Sequence, residues 1–317
     1  MHPVRGVRTI LEADSPEGVD WPAVNRSARH LSKSGTLDLT PGERDGYATD
    51  ARIARARIED ATGLAVSLPE TLEVQHRHHW IDRTAETLER AFEPIPAEPS
   101  RFPGLRTSIN TGTVAGALAH VSGLVLGQYD PKLFDRTGAH ELLVVHPNVR
   151  EAARDLAVEP EPFRRWIVFH EVAHAAEFDQ APWLAAYLAE RVNRVLDGVA
   201  TGEVPRQAFR ELDLAMTAVE GYAELLMDAA FDGPTGSMRT ALDERRAQSG
   251  PVAGILGRVL GLDRKRAQYE RGRAFFAAIA EQGGIAAANR AWERPQALPR
   301  EAELEDPDRW LERVDRA

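Results

Sequence analysis

The segment WIVFHEVAHAAEF, residues 166–178, constrains this chain more than any other. Two histidines, His170 and His174, stand four residues apart, with Glu171 directly after the first. The neighbours Trp166, Ile167, Phe169, Val172 and Phe178 are those of a buried helix. On an α-helix, residues four apart lie one turn above another on the same face. Two imidazoles and a carboxylate in such a setting need partners, because unsatisfied burial of polar groups is costly. Either the histidines are hydrogen-bonded in a core with Glu171 at the surface, or both imidazoles face one cation.

The second arrangement brings chemistry with it. Two imidazoles from one helical turn supply two corners of a tetrahedral site. Glu171, about 100° around the helix, stands beside the open position. There its carboxylate can take a proton from a water that zinc has acidified. The spacing therefore predicts one catalytic Zn2+ held by His170 and His174, with Glu171 as general base. Iron, cobalt or nickel would also suit these donors.

A catalytic zinc takes a third protein ligand. A metzincin continuation would need Gly at 177 and His at 180, where the chain has Glu177 and Gln180. The other common solution is a glutamate from a later helix. AVEGYAELLMD offers Glu220, Glu224 and Asp228 at helical spacing, the first of them 46 residues beyond His174. Glu220 is the expected ligand, as in glutamate zincins. Glu224 is expected to orient a histidine from behind, with Asp228 a further candidate. The alternatives are a solvated acidic face, or Glu177 as ligand, which is awkward from the same helix. An oxyanion formed at the site would need a donor. Tyr222, Tyr269, Arg273, His140 and His146 are candidates.

The rest of the chain reads as mainly helical. Thr40, Pro41 and Gly63 mark the N-cap, first turn and C-cap of one helix. Residues 80–95 and the Ala- and Gly-rich run 113–127 read as two more, separated by the Pro-rich loop 93–104. The run HELLVVHPN (140–148) is the best strand candidate. Zincin peptidases use an edge strand to pair with extended substrates, and this run is placed to be that strand, or an ordinary buried one. Pro160 or Pro162 opens the HEVAH helix. Further helices follow over 206–231 and 263–284, with a short one near DPDRWLERV. The histidines of QHRHHW (75–80) read as exposed imidazoles beside Arg77, with adventitious metal binding the alternative. GPVAGILGRVLG (250–261) lacks the ending of a phosphate loop, and no serine-hydrolase elbow is present.

Composition narrows the classes further. A net charge of −10 argues against a nucleic-acid partner. The only lysines are Lys33, Lys132 and Lys265, none in a setting for Schiff-base chemistry. There is no cysteine, which removes disulfides, thiolate nucleophiles and cysteine zinc fingers. The N-terminus lacks a secretory pattern, and no apolar run is long enough for a membrane span. A cytoplasmic protein is expected, with its oligomeric state open.

VLGQYDP (125–131), ELLVVHPNV (141–149), FHEVAHAAEF (169–178) with PWL after it, AVEGYAELLMD, QYERGRAFFAAI (268–279) and GGIAAANRAWERPQALP (283–299) occur in that order. This series resembles a zincin-like family of prokaryotic, largely actinobacterial, hydrolases, one branch of which is labelled as associated with deazaflavin-coenzyme biosynthesis. The likeness runs from DWPAVNRSARHL nearly to the C-terminus. It implies a mainly α fold with a small β-sheet, in which the metal motif maps onto His170, Glu171, His174 and Glu220. The expected organisation is an N-terminal extension over 1–19 and a single zincin-like domain over 20–317. That domain has a helical N-terminal portion to about residue 100 and the metal centre within 140–231. The expected activity is zinc-dependent hydrolysis of a peptide. The alternatives are a non-peptide amide or ester of coenzyme metabolism, or a non-catalytic binding protein that keeps the fold.

Overall fold

The structure is a computed structural model that describes residues 2–15, 18–92, 103–134, 139–200, 205–233, 238–239 and 265–316. Helices dominate: α1 (Pro3–Leu11), α2 (Trp21–Leu31), α3 (Pro41–Thr62), α4 (Arg77–Phe92) and α5 (Pro103–Val121) precede the site. α6 (His146–Asp155), α7 (Pro160–Gln180), α8 (Leu184–Ala200), α9 (Arg206–Ala230), α10 (Lys265–Asn289) and α11 (Pro307–Asp315) follow. Between and among them lie three short strands, β1 (Leu72–Gln75), β2 (Gly127–Asp130) and β3 (Glu141–Val145).

The helix ends follow local chemistry. Thr40 accepts from the Glu43 amide while Glu43 reaches back to the Thr40 amide, a capping box in front of Pro41. Gly63 closes α3 in the left-handed conformation, with φ 70°. Pro160 sits in the first turn of α7. Helix α5 stops at Val121 rather than running to 127, because Gly127 belongs to β2.

The sheet has the order β1-β3-β2, with β1 parallel and β2 antiparallel to β3. Of the two places open to β3, an edge or the interior of the sheet, it takes the interior, and β2 is an edge beside α7. The reason lies in the side chains. Leu143 and Val145 pack among Trp21, Trp80, Ile81 and Leu118 of α2, α4 and α5. Leu142 and Val144 face the other way, into the cluster built on α3, α7, α9 and α10. A strand apolar on both faces is covered on both faces. The helical portion expected up to about residue 100 is thus divided, with α3 on the α7 side of the sheet and α2 and α4 on the other.

Asn148, fully buried, ties the sheet to its surroundings. Its amide donates to the carbonyls of Ser122 and Val125, fixing the approach to β2, and its Oδ1 accepts from Arg77 Nε. Arg77 is buried and also pairs with Glu151. The QHRHHW stretch is accordingly part of the architecture rather than a row of exposed imidazoles: His79 pairs with Glu73 at 2.6 Å, and His76, His78 and His79 are all half-buried. The Pro-rich residues 93–102 and the 250–261 segment lie outside the described residues. Among those described, no helix is long and apolar enough to cross a membrane.

Candidate metal centre

Helix α7 is the middle of the larger core. Phe169, Val172, Ala173 and Ala176 are fully buried along it, and the same helix carries His170, Glu171, His174 and Glu177. Helix α9 packs against it through Ala218, Val219, Tyr222 and Ala223. Small residues on both helices let the backbones approach, which brings Glu220 of α9 over the two histidines.

Glu220 Oε2 lies 3.7 Å from His170 Nε2 and 3.8 Å from His174 Nε2. The three donor atoms all fall within 4.8 Å of one another, and among the described residues this is the one such group of acids and histidines. These separations are too long for hydrogen bonds. Two nitrogens and an oxygen bound tetrahedrally at zinc distances stand about 3.4 Å apart, so both Glu220 edges lie within a few tenths of an ångström of a zinc site, and the third edge is within 4.8 Å. The side chains of both histidines keep some exposure, 15% and 13%, which leaves the centre open to solvent on one side. The donor set and its geometry fit zinc.

His174 Nδ1 lies 2.7 Å from Glu177 Oε2. Glu177 is completely buried, and burial pushes its carboxyl up to about 8. Burial pulls His174 down, but Glu177, Glu220 and Glu171 outweigh it and hold the imidazole up to about 9. With Nδ1 facing Glu177, Nε2 is the nitrogen that faces Glu220.

Glu177 therefore stands behind His174, a role that the sequence did not assign to it. Glu177 stands three residues after His174 on the same helix face, whereas Glu224 is a turn further along α9 and accepts from Arg239 Nε at 2.7 Å. Asp228, a turn further again, pairs with Arg239 and Arg273. The expected oxyanion donors are also engaged elsewhere. Tyr222 is fully buried and donates to Asn289 Oδ1 at 2.5 Å. Arg273 is half-exposed on Asp228. His146 Nδ1 meets the Tyr47 hydroxyl at 3.0 Å, and His140 Nδ1 meets the Tyr129 hydroxyl at 2.5 Å. The Tyr269 side chain lies outside the described residues.

Glu171 is buried rather than at the surface, and its Oε2 accepts from the Tyr129 amide of β2 at 2.9 Å. Just before β2 the Leu126 carbonyl accepts from the Val145 amide, so along the strand alternate residues turn their amides outward. Gly127 and Tyr129 consequently face the open edge, beside Glu171.

No curated protein matches the chain. A solved structure from Chloroflexus aurantiacus, described as a "putative hydrolase with a novel fold", is similar with a TM-score of 0.78 and 29% sequence identity, over 94% of this chain and 99% of that one. The zincin-like metallopeptidase family matches residues 19–205 and 199–311. With nearly the whole chain beyond α1 accounted for by that match, the protein belongs to the zincin-like metallopeptidase family.

Proposed function

We propose that the protein is a zinc-dependent peptidase in which His170, His174 and Glu220 hold the metal and Glu171 is the general base. The observation that carries this reading is the convergence of two imidazoles from α7 and a carboxylate from α9 at 3.7–3.8 Å, with a buried carboxylate one residue from the first histidine. Zinc, when bound, supplies a Lewis acid that acidifies water and polarises a carbonyl.

The chain's own groups do the remainder. Glu171 accepts the proton of the attacking water and returns it to the departing amine, so one carboxylate serves both halves of the hydrolysis. Glu177 holds His174 in the tautomer that presents Nε2. The outward amide and carbonyl of Gly127 offer an extended peptide one antiparallel pairing point next to the base. That edge favours a peptide over a compact amide or ester.

Substitution of Glu171 by Gln tests the reading, with bound metal and peptide-library cleavage measured together. The expected result is a variant that retains zinc and loses cleavage. Cleavage unaffected by the substitution would rule out the assigned base.

A further inference from the structure

The VLGQYDP motif contributes β2, but its second half has a more specific arrangement. Gly127 and Tyr129 share the sheet face that looks onto α7, and Gln128 looks the other way, accepting from Trp80 Nε1 at 2.6 Å. A Cβ added to Gly127 would lie 2.7 Å from both Cγ and Oε1 of Glu171. The Glu171 side chain thus fills the space that any other residue at 127 would claim. Among the described residues the glycines with positive φ are Gly18, Gly35, Gly63 and Gly284, and Gly127 is not one of them. Backbone conformation does not call for glycine here; room for Glu171 does.

The amide two residues on completes the arrangement. Tyr129 N–H points out of the sheet and donates to Glu171 Oε2 at 2.9 Å. A carboxylate on a flexible stem is thereby held at two points, by contact under Gly127 and by a charge-assisted hydrogen bond from Tyr129. Positional error matters at such a site, because a displacement of about 1 Å in a reacting group can cost about 100-fold in rate.

We propose that Gly127 and the Tyr129 amide are positioning groups that hold the Glu171 carboxylate beside the metal site. This rests on the reading of Glu171 as the base. The contacts described for both are with Glu171, so placement of the base can be tested apart from binding of the metal.

Acetohydroxamate is a suitable probe, since it chelates a catalytic metal through its two oxygens and gives its acidic proton to a carboxylate alongside. Its affinity is measured for zinc-loaded wild type, E171Q, G127A, the G127A/E171Q double variant and Q128A. Zinc affinity is measured on each by chelator competition. E171Q and G127A are each expected to weaken the hydroxamate by about 10–100-fold. The double variant is expected to bind no more weakly than E171Q. Q128A, altered on the opposite face, stays at wild type, and zinc affinity in G127A stays within about twofold.

A hydroxamate weakened by E171Q but not by G127A would overturn this inference and leave the base in place. A hydroxamate weakened by neither would overturn both. Parallel loss of zinc and hydroxamate in G127A would make Gly127 a support of the metal site, which also overturns the inference. Should G127A fail to fold, Y129P removes the amide at an edge position that tolerates proline, and the same comparisons decide.

Discussion

Gly221 on α9 and Gly272 on α10 meet backbone to backbone, one residue after the candidate ligand Glu220. A Cβ on Gly221 would fall inside contact distance of the Gly272 main chain, and a Cβ on Gly272 would strike the Thr217 carbonyl. The two helices therefore cross at a separation that only glycine allows, and Glu220, the residue before Gly221, projects about 100° around α9 from that crossing. Gly221→Ala is expected to push α9 off α10 and cost about 1–3 kcal/mol by overpacking, read as a lower thermal midpoint. Zinc affinity should fall with it, because the displaced helix carries Glu220.

Removal of the metal should loosen the same pair of helices. A ligand that binds only the folded state stabilises it by about 2.7 kcal/mol at a hundred times its dissociation constant. Chelator-treated protein is expected to melt earlier, and readdition of zinc to restore the midpoint. Glu220→Ala should abolish that zinc-dependent rise. A rise of equal size in the variant would remove Glu220 from the ligand set.

Glu177 makes a separate claim on the metal. Loss of an acceptor behind a metal-bound histidine typically costs about 10–100-fold in metal affinity. Glu177→Leu should show that loss in a chelator competition. Glu177→Gln retains an oxygen for His174 Nδ1 and should stay much closer to wild type. Equal behaviour of the two variants would reduce Glu177 to a space-filling role.

Metal uptake should depend on pH in a stated direction. Despite burial, Glu177, Glu220 and Glu171 hold the His174 imidazole up to about 9. At pH 7 the metal-free imidazole is protonated, and a cation must displace a proton to bind Nε2. Zinc affinity is expected to climb by up to about tenfold per pH unit below 9 and to level off above it. Titration of zinc binding between pH 6 and 9 checks this; a flat profile would contradict it.

Local signals were legible in the sequence and longer-range ones only in part. Thr40, Pro41 and Gly63 announce α3 because caps act within a turn, and His170, Glu171 and His174 announce the site because one helical turn sets their spacing. The β3 run ELLVV was legible as a strand. Its position in the sheet was left open between edge and buried, because an apolar run implies cover on both faces but says nothing of which strands pair at its sides. β1 and β2 are four residues each, and Gly127, Gln128 and Asp130 have little intrinsic preference for a strand; pairing with β3 makes them one. Glu177 is the instructive residue. It lies three positions after His174 on an apolar helix, a spacing that brings side chains together. That spacing marks it as a partner of the histidine, whereas Glu224, reached by analogy, is seen to accept from Arg239.

The origin of the three donors on two helices has a consequence for how the protein matures. His170 and His174 are adjacent as soon as α7 forms, but Glu220 arrives only after the 45 residues between His174 and Glu220 have closed on themselves and α9 has docked. Bringing together the ends of a long segment carries an entropic cost that later contacts must repay. On the ligand set proposed above, a newly made chain would have no tight claim on zinc until its tertiary structure is nearly complete, and metal loading would be a closing step of biogenesis rather than a capture by the nascent polypeptide.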